Sequence, residues 1–377
     1  MTVKQATNMK AICDRDALAD AMSLIAGVVP SRTPTPSRQC VLITAGDGQL
    51  QLAATDGEIS LVRSTTRVDA ESSGQAFVPA DKVSQIVRSC DDPTMTLSGD
   101  DGALLIRSSD SRFKVFAFPI SEASDAATFE GVDPSFVIGG KELHLLIDRT
   151  LFAAATDHSR YAINGVLFER KDGLLRMVAT NGHRLAMATA SCDGDGEDRC
   201  IIPTKTMTLL RRLLGDGDAN VAVHVDDGRV LFHIDDEGET ATISSNLVEG
   251  NFPPYEDVVP KDLDRSVRVS SDALNKGIRR AALLTNEESR GVRMVFEQGR
   301  LVITGRSPEM GEAEIEIPLD GFDGEPLEIG FNPAYILDAM KVVGADEITI
   351  ELKRQDKPGL FRSGDDFLYI IMPVNLS

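Results

Sequence analysis

The stretch Val178-Ala179-Thr180-Asn181-Gly182-His183-Arg184-Leu185-Ala186 occurs three times in altered form. An earlier copy reads Leu50-Gln51-Leu52-Ala53-Ala54-Thr55-Asp56-Gly57-Glu58, and a degenerate later one reads Leu301-Val302-Ile303-Thr304-Gly305-Arg306-Ser307. Ala54 to Ala179 and Ala179 to Thr304 are each 125 positions apart. A domain takes roughly 100–200 residues, so a period of this length divides the 377 residues into three similar domains. Asn-Gly and Asp-Gly between apolar runs most readily supply the positive φ values of a tight hairpin turn. The first two copies are therefore read as hairpin tips.

The rest of the chain follows the same period. Each segment opens with an amphipathic helix: Leu18, Ala21, Met22, Ile25 and Val28; then Leu143, Leu146, Ile147 and Leu151; then Leu274, Ile278 and Ala281. A second helix starts from a Pro near its first turn, at Pro79, Pro203 and Pro333, where the missing N–H costs nothing. Between them lie short strands, read at 49–54, 59–63, 221–225, 229–234, 348–352 and 368–372. Each segment closes on an apolar strand running into Pro: Phe116-Ala117-Phe118-Pro119, Asn251-Phe252-Pro253-Pro254 and Ile371-Met372-Pro373. Short polar connectors near 131–134 and 260–265 set the expected domains at 1–132, 133–263 and 264–377.

Charge restricts the partners. Thirty-nine Lys and Arg against 59 Asp and Glu give a net charge of −20, which argues against binding nucleic acid through the whole surface, since duplex affinity comes from cations replacing counterions. Basic residues nonetheless fall preferentially within or beside the six predicted helices: Lys82, Arg88, Lys141, Arg149, Lys205, Arg211, Arg212, Lys276, Arg279, Arg280 and Lys341. They are either ordinary solvated positions or, if all six helices face one way, a basic lining inside an acidic outer wall. No apolar run approaches the roughly 20 residues of a membrane span, and Met1 to Lys10 lacks the apolar core of a signal peptide, so a cytoplasmic location is expected. Five scattered cysteines without a CxxC pair read as free thiols.

Catalytic patterns fail. There is no phosphate-binding G-x-x-x-x-G-K-[ST], no G-x-S-x-G elbow and no H-E-x-x-H. His224 and His233 sit on one predicted hairpin but lack a third ligand, and the acidic run from Asp193 has the wrong residues at an EF-hand's sixth and twelfth positions. No cofactor, metal or catalytic residue is expected.

Several motifs resemble those of the bacterial sliding clamps, the DNA polymerase III beta-subunit family. They are Ala179 to Ala186, with Asn181 where the family usually has Asp; Arg160-Tyr161-Ala162-Ile163-Asn164-Gly165-Val166; Leu247 to Tyr255; Asn286-Glu287-Glu288-Ser289-Arg290-Gly291-Val292-Arg293; and Tyr369 to Val374. The resemblance implies an α+β DNA-clamp fold of three similar domains, each with two helices packed on antiparallel sheets, and a head-to-tail homodimeric ring of six domains. It implies a processivity factor that encircles duplex DNA without reading its sequence. It also implies tethering of the DNA polymerase III alpha subunit and other replication or repair proteins, and loading by a separate ATP-driven loader.

Carried over residue by residue, the family's peptide pocket between the second and third domains falls on Ile163, Thr180, Gly182, His183, Arg184, Leu185, Pro253, Val258, Ile370, Met372 and Pro373, with Asn332 and Tyr335 at its edge. Apolar side chains would form its floor and hairpin residues would orient the peptide. The DNA-facing set adds Arg32 and Arg160 to the helical cations. The dimer contacts fall on Arg112, Phe113, Leu283 and Leu284, with Glu309, Glu312 and Glu314 as charge partners. Ala162, Asp257 and Asn375 depart from the family's common residues.

Overall fold

The computed structural model describes residues 8–100, 102–156, 162–194, 196–215, 217–285, 291–322 and 324–376. Among these residues a strand runs straight into a helix six times. Lys10–Asp14 leads into α1 (Arg15–Val28), Gly74–Pro79 into α2 (Ala80–Ser89) and Phe136–Gly139 into α3 (Gly140–Leu151). Asp198–Pro203 leads into α4 (Thr204–Leu214), Arg265–Ser270 into α5 (Ser271–Ala282) and Leu327–Phe331 into α6 (Pro333–Met340). Caps mark several of these junctions: the Asp14 carboxylate accepts from Ala17 N at 2.8 Å, and the Asn332 amide oxygen accepts from Ala334 N at 3.0 Å. The expected prolines differ in role. Pro79 and Pro203 end the strand, whereas Pro333 is the first helical residue.

Two compact units are formed: Met1–His144 with Cys192–Gly196 and Lys205–Leu247, and Leu145–Ser191 with Glu197–Thr204 and Val248–Ser377. Each contains an eight-stranded antiparallel sheet assembled from two neighbouring repeats. In the first unit the strand Glu239–Asn246 pairs with Ile59–Thr65, Ile243 facing Leu61. In the second, Phe367–Ile371 pairs with Arg184–Ser191, Tyr369 facing Ala186. The first unit also holds a five-stranded sheet from the opening repeat, and the second a four-stranded sheet from the closing repeat.

Helices cover one face of these sheets. Leu50, Leu52 and Ala54 in the first unit, and Leu175, Met177 and Ala179 in the second, alternate inward and are buried. The third repeat corrects the 125-residue register by one. Ala54 faces Leu61 and Ala179 faces Ala186, but the residue facing Ala313 is Gly305, not Thr304. Gly305 is no turn glycine: a Cβ there would lie 2.0 Å from the Ala281 carbonyl oxygen, so it admits the end of α5 against the strand. That strand continues to Ser307, and the tip moves to 308–310. The closing segment Asn251-Phe252-Pro253-Pro254 is not a strand. It is extended coil whose Phe252 is buried.

Candidate functional site

Only glycine takes a positive φ in the two hairpin tips: Gly57 at 98° and Gly182 at 86°. Neither tip is a two-residue turn. Asn181 Oδ1 accepts from the backbone N–H groups of His183 (3.0 Å) and Arg184 (3.1 Å), while Thr180 Oγ1 donates to the Arg184 carbonyl at 2.6 Å and accepts from Gly182 N at 3.1 Å. A short polar residue at 181 thus closes the loop itself. The neighbouring strand is tied to it, because Met372 N donates to the His183 carbonyl at 2.9 Å.

Behind this tip the outer face of the second sheet is apolar. Leu167, Val178, Leu185, Ile201, Leu368 and Ile370 form one buried cluster with Phe252 and Tyr255, which the 252–255 segment lays across them. The cover is incomplete. At its end a cavity of about 220 Å³ opens, lined by Ile163, Thr180, Gly182, Arg184, Leu185, Pro253, Tyr255, Val258, Ile370 and Met372. Its lining is therefore the uncovered rim of a folding core, with Val258 and Met372 exposed. Such a cavity suits a few apolar side chains of an extended segment, each worth about 1.5–3 kcal/mol on full burial.

His183, Asn332, Tyr335 and Pro373 do not line the cavity. Tyr335 instead stacks on Arg184, whose guanidinium carbon lies 4.5 Å from its ring centroid and 5.4 Å from that of Phe152. The same guanidinium donates to Asp338 at 2.7 Å and to the Phe152 carbonyl. Arg184 was expected to orient a peptide by hydrogen bonding. Its head group is committed to α6, and it serves the cavity through its stem. Burial, the largest influence, raises the Asp338 pKa, but the hydrogen bonds from Lys341 and Arg184 outweigh it and hold the carboxyl below its ordinary value.

Tyr255 is the lining residue that the pocket assignment missed, although it ends the Leu247 to Tyr255 motif. Its hydroxyl donates to Glu169 and accepts from Arg176 at 3.2 Å, on the side away from the cavity. Burial first, then the bond to Glu169, pushes its pKa up to about 12. The ring is thereby fixed as a wall.

Family models match the chain in three consecutive pieces: the N-terminal domain of the DNA polymerase III beta subunit at residues 9–125, the central domain at 137–254 and the C-terminal domain at 256–375. The chain belongs to the DNA polymerase III beta-subunit family. The beta sliding clamp of Pseudomonas aeruginosa is 36% identical over 369 residues, spanning 96% of this chain and 98% of that protein. A clamp from Bartonella birtlesii, solved bound to griselimycin, shares the fold at a TM-score of 0.89 and 31% identity, covering 98% of this chain and all of that one (100%). The sliding clamp of Bacillus subtilis gives 0.89 at 27% identity over the same shares, 98% and 100%.

The cations expected on the helices of this beta subunit are exposed at Lys82, Arg88, Lys141, Lys205, Arg211, Arg212, Lys276, Arg279 and Arg280, and Arg32 is exposed in its loop. Arg149 is the exception. Its side chain is 11% exposed, bonded to Asp366 at 2.6 Å and stacked on Phe367, so it fastens α3 to a strand instead of facing solvent. Arg160 lies outside the described residues, as do Tyr161 and Asn286 to Arg290 of the family motifs. Several exposed lysines have acidic neighbours: Lys82 with Asp81, Lys141 with Asp218, Lys276 with Asp272, and Lys205 with Asp56. Arg279 and Arg280 pair with neutral groups instead. Arg279 bonds Asn275 Oδ1 and Arg280 the Lys276 carbonyl, both neutral, at the C-terminal turn of α5.

Arg112 and Phe113 lie on the edge strand Arg112–Phe116, and Glu312 and Glu314 on the edge strand Gly311–Pro318. Leu283 is 75% exposed just after α5. His224 and His233 are each engaged elsewhere: their rings bond the Asp133 carbonyl and Thr242 Oγ1. No group of three or more potential metal ligands occurs among the described residues, and no described helix is long and apolar enough to cross a membrane.

Proposed function

We propose that the protein is a DNA sliding clamp, a non-enzymatic processivity factor whose domains, 1–132, 133–263 and 264–377, form a six-domain ring as a head-to-tail homodimer. The ring encircles duplex DNA without reading its sequence. Through the cavity beside the Asn181 tip it tethers the DNA polymerase III alpha subunit and other clamp-binding proteins by short peptides with apolar anchors, and a separate ATP-driven loader opens it in the cytoplasm. Arg279, Arg280, Arg211 and Arg212, with the exposed helical lysines and Arg32, supply the attractive lining. An outer wall carrying the excess of acids keeps DNA from adhering elsewhere.

The observation that carries this reading is a pair of open sheet edges. Across the first eight-stranded sheet the row Phe136, Val223, Phe232, Ile243 continues into Leu61 and Ala54. Across the second, the row Val267, Ile350, Phe361, Tyr369 continues into Ala186 and Ala179. The equivalent row Ala11, Leu97, Ile106, Phe113 stops at an edge, and Gly305 facing Ala313 stops at another. Unpaired edges call for a partner strand. Joined between copies by the internal rule, the two edges would set Phe113 opposite Ala313, and therefore Arg112 opposite Glu314 and Lys114 opposite Glu312. The basic edge meets the acidic one in register, and two different edges joined head to tail close a dimer.

The test is retention on nicked circular DNA, with a bacterial clamp loader and ATP, before and after the circle is cut. Retention lost on linearisation is expected. Salt-sensitive association indifferent to cutting would refute encirclement.

A further inference from the structure

The Asn181 tip has a counterpart in the first unit that repeats its loop-closing hydrogen bonds one for one. Asp56 Oδ1 accepts from Glu58 N (2.9 Å) and Ile59 N (2.8 Å), and Thr55 Oγ1 donates to the Ile59 carbonyl (2.9 Å) and accepts from Gly57 N (3.0 Å). Asn246 N donates to the Glu58 carbonyl at 2.9 Å, as Met372 N does to His183. The Pro-containing segment that closes the preceding repeat again forms the third wall, and here Ala127 N donates to Ser60 Oγ at 3.4 Å. A cavity of about 240 Å³ lies at the same place as the apolar one.

The scaffold is shared, but the chemistry is inverted. Where the apolar cavity has Leu185, Ile370 and Met372, this one has Ser60, Ser244 and Asn246. Ser124, six residues beyond Phe118, stands where Val258 stands six beyond Phe252. Ser244 is only 5% exposed and lines the cavity. Hydroxyls lining a cavity are satisfied by water or by polar groups that enter it, and not by hydrocarbon. Glu58 and Asp125 set two carboxylates against the single guanidinium of Arg229 around the opening.

We propose that this cavity is a second docking site, for an extended, polar, net-basic peptide segment of a partner protein. The inference rests on reading the apolar cavity as a peptide pocket, because the two share one scaffold. Leucine-type anchors are rejected here, since burying them would leave Ser60 and Ser244 facing hydrocarbon. One chain would then hold two classes of segment at once.

Two peptides test it by NMR titration of the full-length protein: Gly-Ser-Lys-Ser-Lys, acetylated and amidated, and the same sequence with Glu for Lys. The lysine peptide is expected to shift the Ser60, Ser244 and Asn246 amides saturably, and the glutamate peptide is not. Glu58→Lys with Asp125→Lys should weaken the lysine peptide roughly tenfold. Absence of saturable shifts, equal response to both peptides, or indifference to the double variant would overturn the proposal.

A graft separates scaffold from chemistry. Ser60→Leu, Ser124→Val, Ser244→Ile and Asn246→Met together should raise the binding of a Leu/Phe-anchored peptide from one to two equivalents per chain. One equivalent on the folded variant would show that the second scaffold is no pocket. Zero equivalents on the unmodified protein would refute the apolar pocket instead.

Discussion

Reversing one edge of the proposed joint tests the register derived from the repeats. Arg112 and Lys114 are exposed on one edge, Glu312 and Glu314 on the other. An opposite-charge pair directly across two strands contributes about 0.5 kcal/mol, and a like-charge pair opposes by a similar amount. Reversal therefore costs about 1 kcal/mol per pair, about 2 per joint, and about 4 for a ring with two joints. Arg112→Glu with Lys114→Glu should raise the dimer dissociation constant about a thousandfold at low salt, with a smaller effect as salt screens the pairs. Glu312→Lys with Glu314→Arg should do the same alone. Mixed, the two variants should form a heterodimer, since one joint is then wholly reversed and the other wholly unmodified. Sedimentation of each variant and of the mixture reads this directly. Two weak homodimers without a recovered heterodimer would refute the register, and unchanged homodimers would refute the joint.

Three further outcomes are expected. Gly305→Val should destabilise the protein by about 3 kcal/mol in urea unfolding, because its Cβ would meet the Ala281 carbonyl at 2.0 Å; a loss below about 1 kcal/mol would mean that α5 yields easily. Removing residues 372–377 should weaken an apolar-anchored peptide at least about tenfold by deleting the Met372 wall, while leaving the dimer intact; loss of the dimer would misplace the tail. Asp338 has a folded pKa below its unfolded value, so its contribution is present above about pH 4 and is lost as pH falls through the folded pKa. Asp338→Asn should accordingly flatten the acid limb of the stability profile below about pH 4; an unchanged limb would show that the Arg184 and Lys341 contacts contribute nothing there.

Much of the site was legible because it lies on the hairpin tip that repeats. Thr180, Gly182, Leu185, Ile370 and Met372 line the cavity as the motifs implied. Tyr255 escaped because its role depends on Glu169 and Arg176, strand residues far away in sequence that hold its hydroxyl. Arg149 was misread for a related reason: a helical cation looks solvated until Asp366 and Phe367, brought up by another strand, enclose it. The one-residue slip at Gly305 has a local cause, since a longer third hairpin moves the tip away and leaves the glycine to admit a helix.

The sequence by itself determined the three-fold repetition, the six helices, and the turn chemistry of Asp56-Gly57 and Asn181-Gly182, because these depend on neighbours a few residues away. Tertiary structure decided which repeats share a sheet, which edges stay open, and that one scaffold encloses an apolar cavity at Leu185 and a polar one at Ser60. Those outcomes depend on pairings between strands more than a hundred residues apart, where the identity of the facing side chain, not local propensity, sets what a surface can hold.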